Sequence, residues 1–134
     1  MKITFHGMRC FAKTESDEDE IYCVVTTGSD ANRRELARVE IGNFEIGRDL
    51  QREILIWEGT SQPDVTITVM ESDADEPAYG SDDFIGEVTV SADGNCKPGR
   101  ATLDEGHDAS KRYRQFSMTG SAAHYVVHLG VEGN

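Results

Sequence analysis

The sequence predicts an all-β fold, an eight-stranded antiparallel β-sandwich that occupies residues 1–134 as a single domain. Short segments along the chain alternate apolar and polar residues, which is the period of a strand with one buried face. Turn-forming residues separate these segments, and no convincing long helix pattern lies between them. With 134 residues and no extended apolar run, the chain is long enough to enclose one hydrophobic core.

Eight segments carry this strand pattern, and Gly7 indicates an irregularity in the first of them. Residues 29–39 are ambiguous because Asn32 followed by Glu35 offers a helix cap, but a loop leading into a strand from about residue 38 suits the neighbouring segments better. The predicted strands cover residues 2–11, 21–27, 38–44, 52–58, 65–70, 84–91, 111–118 and 124–131.

The strand predicted over 52–58 has apolar residues on both of its faces. Ile54 and Ile56 lie on one side, and Leu55 and Trp57 lie on the other. Because a strand that is apolar on both faces is usually covered on both, this pattern indicates a central position in its sheet.

Strands 65–70 and 84–91 flank a loop that is rich in carboxylates. In the second strand, Phe84, Gly86 and Val88 are predicted to share one face. Six acidic residues lie within the thirteen positions from 71 to 83, and no Lys or Arg interrupts them. This hairpin is the most distinctive part of the sequence.

The negative charge of the chain is concentrated in two segments. Residues 15–20 contain five acidic side chains and residues 71–83 contain six, so together they carry −11 of the net charge of −12. An acidic surface that served solubility would spread its charges, so the concentration argues for a site. It also argues against nucleic acid as a partner, because phosphates repel such a surface.

The second acidic segment suggests a cation site. Alternate residues of a strand point to one side, so Glu71 and Asp73 are predicted to project into the space that the loop encloses, where Asp83 meets them. Carboxylates this close repel one another unless a cation lies among them or water separates them. A loop that is only solvated is the alternative.

Two segments of the chain carry a family resemblance. VTITVMESDAD, which begins at Val65, is followed by a loop that closes on DFIG at 83–86, and the first acidic segment ends in DEIY at 19–22. This order resembles the C2 domain, a β-sandwich family that binds calcium and lipid. The resemblance implies a C2-like Greek key with type II topology. In this sequence Glu71 stands where the family usually has Asp, and the loop that follows is longer than the common form.

The resemblance implies Ca²⁺ as the bound ion, and the chemistry agrees because Ca²⁺ accepts six to eight oxygen ligands whereas zinc favours His or Cys. By resemblance, the predicted metal ligands are Asp17, Asp19, Glu71, Asp73, Asp75 and Asp83. Glu15 and Asp82 are the next candidates.

Catalytic patterns are missing from the sequence, so an enzyme is not predicted. No HExxH, GxSxG or phosphate-binding glycine loop occurs. His124 and His128 share one face of a predicted strand but are about 13 Å apart along it, too far to share a metal. Both histidines are expected on an outer face.

The three cysteines have no close spacing and their number is odd, which makes a disulfide framework unexpected and favours a reducing compartment. Neither a transmembrane segment nor a secretory leader is predicted. The expected location is cytoplasmic or peripheral to a membrane, with leaderless export left open.

The sequence therefore predicts a calcium-binding module that uses two acidic loops at one end of a β-sandwich. The expected partner is an anionic phospholipid surface or a protein. The alternative is a calcium-independent structural or protein-interaction sandwich whose acidic loops are only solvated.

Overall fold

The computed structural model describes residues 1–14, 18–60, 64–72, 82–107 and 113–133. Over these residues the chain forms two antiparallel sheets, which confirms the predicted all-β fold. In chain order the strands are β1 (Lys2–Ala12), β2 (Asp19–Thr27), β3 (Arg34–Phe44), β4 (Asp49–Leu50), β5 (Ile54–Glu58), β6 (Asp64–Glu71), β7 (Asp83–Ser91), β8 (Cys96–Pro98), β9 (Thr102–His107), β10 (Arg114–Met118) and β11 (His124–Glu132).

The first sheet has six strands and the second has five. The first follows the order β4-β1-β11-β10-β9, and β5 also pairs with β1; the second follows the order β3-β2-β6-β7-β8. β1 and β2, which the first acidic loop connects, therefore belong to different sheets. β6 and β7, which the second acidic loop connects, are neighbours in one sheet.

The core lies between the inner faces of the two sheets and follows the predicted alternation. In β11, Tyr125, Val127 and Leu129 are buried, whereas His124 and His128 between them are only partly buried. This confirms the outer-face prediction for the two histidines. Full burial of an aliphatic or aromatic side chain contributes about 1.5–3 kcal/mol, so the shared core is what joins the sheets.

The described residues contain eleven strands, so the predicted count of eight is too low. The three additional strands are β4, β8 and β9, of which β4 has two residues and β8 has three. These three segments lie between the strands that the alternating pattern predicts. They pair along the sides of strands that were predicted, so tertiary pairing rather than local pattern determines them.

β3 begins at Arg34 rather than at about residue 38, and the helical alternative for this region is wrong. Only a 3₁₀ turn forms, at Asp30–Asn32. Pairing with β2 extends to Thr27 opposite Arg34, and this extended pairing outweighs the local helix-capping pattern. The predicted irregularity in β1 is confirmed, since its register with β11 shifts between Phe5 and Gly7.

β5 was predicted to be central, but among the described strands it pairs with β1 alone and lies at the side of its sheet. Ile56 is buried in the core, while Leu55 on the opposite face is 49% exposed. Trp57 is covered in another way, because its ring lies directly over the backbone of Gly59. The turn after the strand, and not a further strand, shields this aromatic side chain.

A bulge in β7 changes the predicted face of Phe84. The register between β6 and β7 shifts at the Val69–Met70 step, so Gly86 lies opposite Val69 and Phe84 lies opposite Met70. Ile85 is therefore the extra residue, and it is buried. Phe84 is only partly buried, and it does not share the inner face with Gly86. Its ring packs instead against the guanidinium group of Arg100.

Candidate functional site

The two acidic loops leave the sandwich at the same end. Ile21 of β2 pairs with Glu71 of β6, and Glu71 pairs in turn with Asp83 of β7. The start of β2, the end of β6 and the start of β7 therefore lie side by side. We call this end of the molecule the acidic end, with a first loop root at Thr14 and Asp19 and a second loop root at Glu71, Ser72, Asp82 and Asp83.

The second loop root contains a pair of carboxylates on directly opposed positions. Glu71 is in phase with Val69 and Ile67, so it points inward, and its side chain is completely buried. Asp83 is its cross-strand partner and is partly buried. Directly opposed residues in an antiparallel pair have Cβ atoms about 4.5–5.5 Å apart, and like charges in this arrangement are destabilising. Two carboxyl groups therefore lie side by side at this root.

Asp19, at the first loop root, has a different environment. It is completely buried and in phase with the core residue Ile21. Its Oδ1 accepts a hydrogen bond from the Thr14 hydroxyl at 2.8 Å, and its Oδ2 accepts bonds from the Thr14 amide at 3.1 Å and from the Tyr125 hydroxyl at 2.5 Å. These three donors compensate for removing the carboxylate from water.

The Tyr125 side chain connects this carboxylate to the core. Its ring makes an edge contact with Phe44, with the two centroids 5.6 Å apart. Burial, and after it the hydrogen bond to Asp19, raises the pKa of the Tyr125 hydroxyl, so the group stays protonated and acts as a donor. Burial also raises the pKa of the neighbouring Cys10 thiol, which makes that cysteine an unreactive core residue.

Asp82 faces the outer side of the second sheet, where it accepts a hydrogen bond from the Tyr22 hydroxyl. Both residues line a surface groove of about 400 Å³ that also includes Glu20, Glu40 and Arg38. The guanidinium of Arg38 lies 4.9 Å from the centre of the Tyr22 ring. Burial and the bond to Asp82 raise the pKa of Tyr22 to about 12, so this hydroxyl too is a donor at neutral pH.

The six predicted metal ligands divide into two halves. Asp17, Asp73 and Asp75 lie outside the described residues, as does the further candidate Glu15. Asp19, Glu71 and Asp83 are described, and all three are at the acidic end. Among the residues that the structure describes, no group of three or more His, Cys, Asp or Glu side chains is arranged to hold a metal ion. The calcium site therefore stays a prediction.

Sequence reasoning missed the groups that hold the described aspartates, namely Thr14, Tyr22 and Tyr125. A signal was present for Tyr125, since the residue after the outward-facing His124 in a strand points to the inner face, and a buried hydroxyl needs an acceptor. The identity of that acceptor was not accessible, because Asp19 is 106 positions away in the chain.

Two large apolar side chains are exposed close to the acidic end. Ile46 is 62% exposed and Phe11 is 44% exposed. Ile46 lies in the turn from β3 to β4, and the amide of Gly47 in that turn donates a 2.8 Å hydrogen bond to the Cys10 carbonyl. The turn and the end of β1 are therefore adjacent. The guanidinium of Arg9 lies 5.0 Å from the centre of the Phe11 ring, which places a positive charge beside this apolar surface.

Comparisons with known proteins leave the family of the chain open: no protein-family model matches it, and no curated protein matches its sequence. Within the described part of the chain, no helix is long and apolar enough to cross a membrane.

Proposed function

We propose that this protein is a calcium-binding β-sandwich module of the C2 type, in which Ca²⁺ binds at the second loop root. The observation that carries the proposal is the opposed pair of Glu71 and Asp83, with Glu71 completely buried. A buried carboxylate facing a second carboxylate is costly to ionise unless hydrogen-bond donors or positive charge lie close to it. In the proposal, a divalent cation bound by both carboxylates contributes that charge.

The sheet order supports the C2-type part of the proposal. The eight strands that correspond to the predicted ones are divided equally between the sheets, in the orders β5-β1-β11-β10 and β3-β2-β6-β7, and β4, β8 and β9 are additional to them. A division of eight strands into four and four is what the resemblance implies. The first and last strands of the chain, β1 and β11, are neighbours in one sheet.

Calcium is the cation that fits these side chains best. Ca²⁺ binds hard oxygen ligands and tolerates irregular loops, whereas Mg²⁺ demands near-ideal octahedral geometry. In the proposal, Glu71 and Asp83 provide ligands from the strands, and Asp17, Asp73 and Asp75 provide ligands from the loops. Asp19 already accepts three internal hydrogen bonds, so we assign it a supporting role.

Thermal unfolding in EGTA and in millimolar calcium tests the proposal. A ligand that binds only the native state stabilises it by mass action, by about 2.7 kcal/mol at a hundred times the dissociation constant, which would raise the melting temperature by about 8 °C. We expect this shift in the natural protein and its loss in Asp73→Asn and Asp83→Asn.

Asp64→Asn is the matched control, because Asp64 is exposed and lies at the opposite end of the strand that carries Glu71. It should keep the full calcium shift. A folded protein whose melting temperature is the same in EGTA and in calcium would refute the proposal. An equal shift in magnesium would refute the choice of ion.

The partner that we propose is an anionic phospholipid surface. The support is the exposed side chains of Ile46 and Phe11 near the acidic end, with Arg9 beside them, because apolar groups next to basic groups suit the interface of a charged bilayer. Bound calcium would reduce the negative charge that otherwise repels such a surface. Sedimentation with phosphatidylserine vesicles should depend on calcium and weaken in Ile46→Gln, whereas vesicles of neutral lipid should not sediment the protein.

A protein partner is the second candidate, and one observation favours it. Leu103 is 66% exposed on β9, which is the last strand of its sheet in the described order. An exposed apolar residue on an edge strand suits contact with another chain. Light scattering would reveal self-association, and its loss in Leu103→Lys without any effect of calcium would favour this function over the first.

A further inference from the structure

Each acidic loop root is joined to the sandwich by one tyrosine hydroxyl. Tyr125, on β11 of the first sheet, donates to Asp19 at the first root. Tyr22, on β2 of the second sheet, donates to Asp82 at the second root. Both tyrosines are buried, with exposures of 0% and 9%. Two aspartates in the most acidic parts of the chain are therefore engaged by internal donors.

We propose that Tyr125 and Tyr22 are positioning residues, which fix the two loop roots so that the carboxylates of the acidic end are arranged before a cation binds. The part of this proposal that concerns calcium rests on the proposed function. The part that concerns the roots does not, because the two hydrogen bonds join groups of the chain itself.

The Tyr125–Asp19 bond fixes the first root through a chain of contacts. The ring is held by its edge contact with Phe44. The hydroxyl holds Oδ2 of Asp19, and the same carboxylate receives the amide and hydroxyl of Thr14, the last described residue before the loop. Hydrogen bonds to an ionised group are the stronger kind, so a wholly buried aspartate with three donors has one well-defined position.

The Tyr22–Asp82 bond acts on the second root from the opposite face of the sheet. Tyr22 follows Ile21 in β2, so its side chain points outward while Ile21 points to the core. Asp82 immediately precedes Asp83, the cross-strand partner of Glu71. Holding Asp82 on the outer face therefore helps to keep Asp83 in register beside Glu71.

β2 links the two arrangements. It contributes Asp19, the acceptor of one tyrosine bond, and Tyr22, the donor of the other. In addition, the amide of Ser72 at the second root donates a 2.8 Å hydrogen bond to the backbone carbonyl of Glu20 in the same strand. Both loop roots are thereby held by hydrogen bonds that involve the same strand, β2. A site whose ligands are already positioned loses less conformational freedom on binding and so binds more tightly.

Amide hydrogen exchange in EGTA tests the positioning role directly. In Tyr125→Phe the ring is kept and only the donor is lost, so we expect the Thr14 amide to exchange at least about tenfold faster, while Ser72 changes less than about twofold. In Tyr22→Phe the pattern should reverse. Tyr113→Phe is the control for the chemical change. Tyr113 is a partly buried tyrosine on the outer face of the first sheet, and its ring stacks on His6 with the two ring centroids 5.4 Å apart.

Core amides distinguish positioning from a general loss of stability. Val25, in the middle of β2, should keep its exchange rate in both variants within about twofold. If Thr14 and Ser72 keep their natural rates in the two variants, the positioning role is wrong. If every amide accelerates together, the tyrosines support the fold and not the roots, and the proposal is again wrong.

Calcium titration of the same variants measures the effect on the proposed site. We expect each tyrosine variant to bind calcium about tenfold more weakly than the natural protein, and Tyr113→Phe to bind it equally well. Unchanged affinity in both variants would overturn the link to the cation site. Absence of binding to the natural protein would refute the proposed function and this link together, while the exchange rates would still decide whether the tyrosines hold the roots.

Discussion

Asp19, at the first loop root, accepts hydrogen bonds from Thr14 and Tyr125, whereas Glu71, at the second root, lies opposite another carboxylate, Asp83. Asp19 and Glu71 are both completely buried and both in phase with core residues of their strands. Their described surroundings differ, because Asp19 has three hydrogen-bond donors around it and Glu71 has a second carboxylate opposite it. We therefore propose different roles for two equally buried carboxylates, structural support at the first root and cation binding at the second.

The largest effect is expected from removing the supporting carboxylate. Asp19→Ala leaves the Tyr125 hydroxyl and the two Thr14 donors without their acceptor in a buried place, so we expect a loss of about 3 kcal/mol in the free energy of unfolding. Urea unfolding measures it. Asp64→Ala, at an exposed position, should change the same quantity by less than about 0.5 kcal/mol. A similarly small effect of Asp19→Ala would mean that the first root is not held by this side chain.

At the second root, when calcium is removed, we expect a substitution to increase the free energy of unfolding rather than to decrease it. Asp83→Asn preserves shape but takes away one of two opposed charges, so in EGTA we expect a gain of about 0.5 kcal/mol. In saturating calcium the natural protein should be the more stable of the two, because the variant loses a ligand. If the variant were less stable than the natural protein in EGTA, Asp83 would be part of a favourable interaction and the contrast between the roots would fail.

A smaller change in the free energy of unfolding is expected when alkaline pH deprotonates the Tyr22 hydroxyl. Its folded pKa is raised from 10 to about 12, so the folded state holds the proton more tightly than the unfolded state. The stability that this provides is present below pH 10 and is lost as the pH rises from 10 to about 12. Urea unfolding from pH 8 to 12 should show a shallower decline for Tyr22→Phe than for the natural protein. Identical declines would mean that the Tyr22 hydroxyl is not coupled to folding.

The sequence was sufficient to predict the structural features that depend on the local alternation of apolar and polar residues. Period-two patterns predicted the all-β fold. They were also sufficient to place Glu71 on the inner face, since that residue continues the Val65, Ile67 and Val69 series, although its projection into the space of the loop was predicted instead. The same reasoning applied to Asp19, which continues Ile21 and Cys23, would have predicted its burial as well.

Features that depend on distant parts of the chain were not predictable in this way. The edge position of β5 depends on which strand lies beside it, and the bulge at Ile85 depends on register with β6. The bond from Tyr125 to Asp19 joins residues that are 106 positions apart. No local pattern specifies such a pair, so the supporting role of Asp19 could be recognised only in three dimensions.

The most direct test of cation binding at the second root is equilibrium dialysis against radioactive calcium. The natural protein and Asp64→Asn should retain calcium, and Glu71→Gln should retain none at the same concentration, because the buried member of the carboxylate pair is then neutral. Absence of bound calcium in the natural protein, or equal retention by Glu71→Gln, would contradict the account. The acidic loops would then have no role in cation binding, and the exposed Leu103 on β9 would become the place to look for a partner.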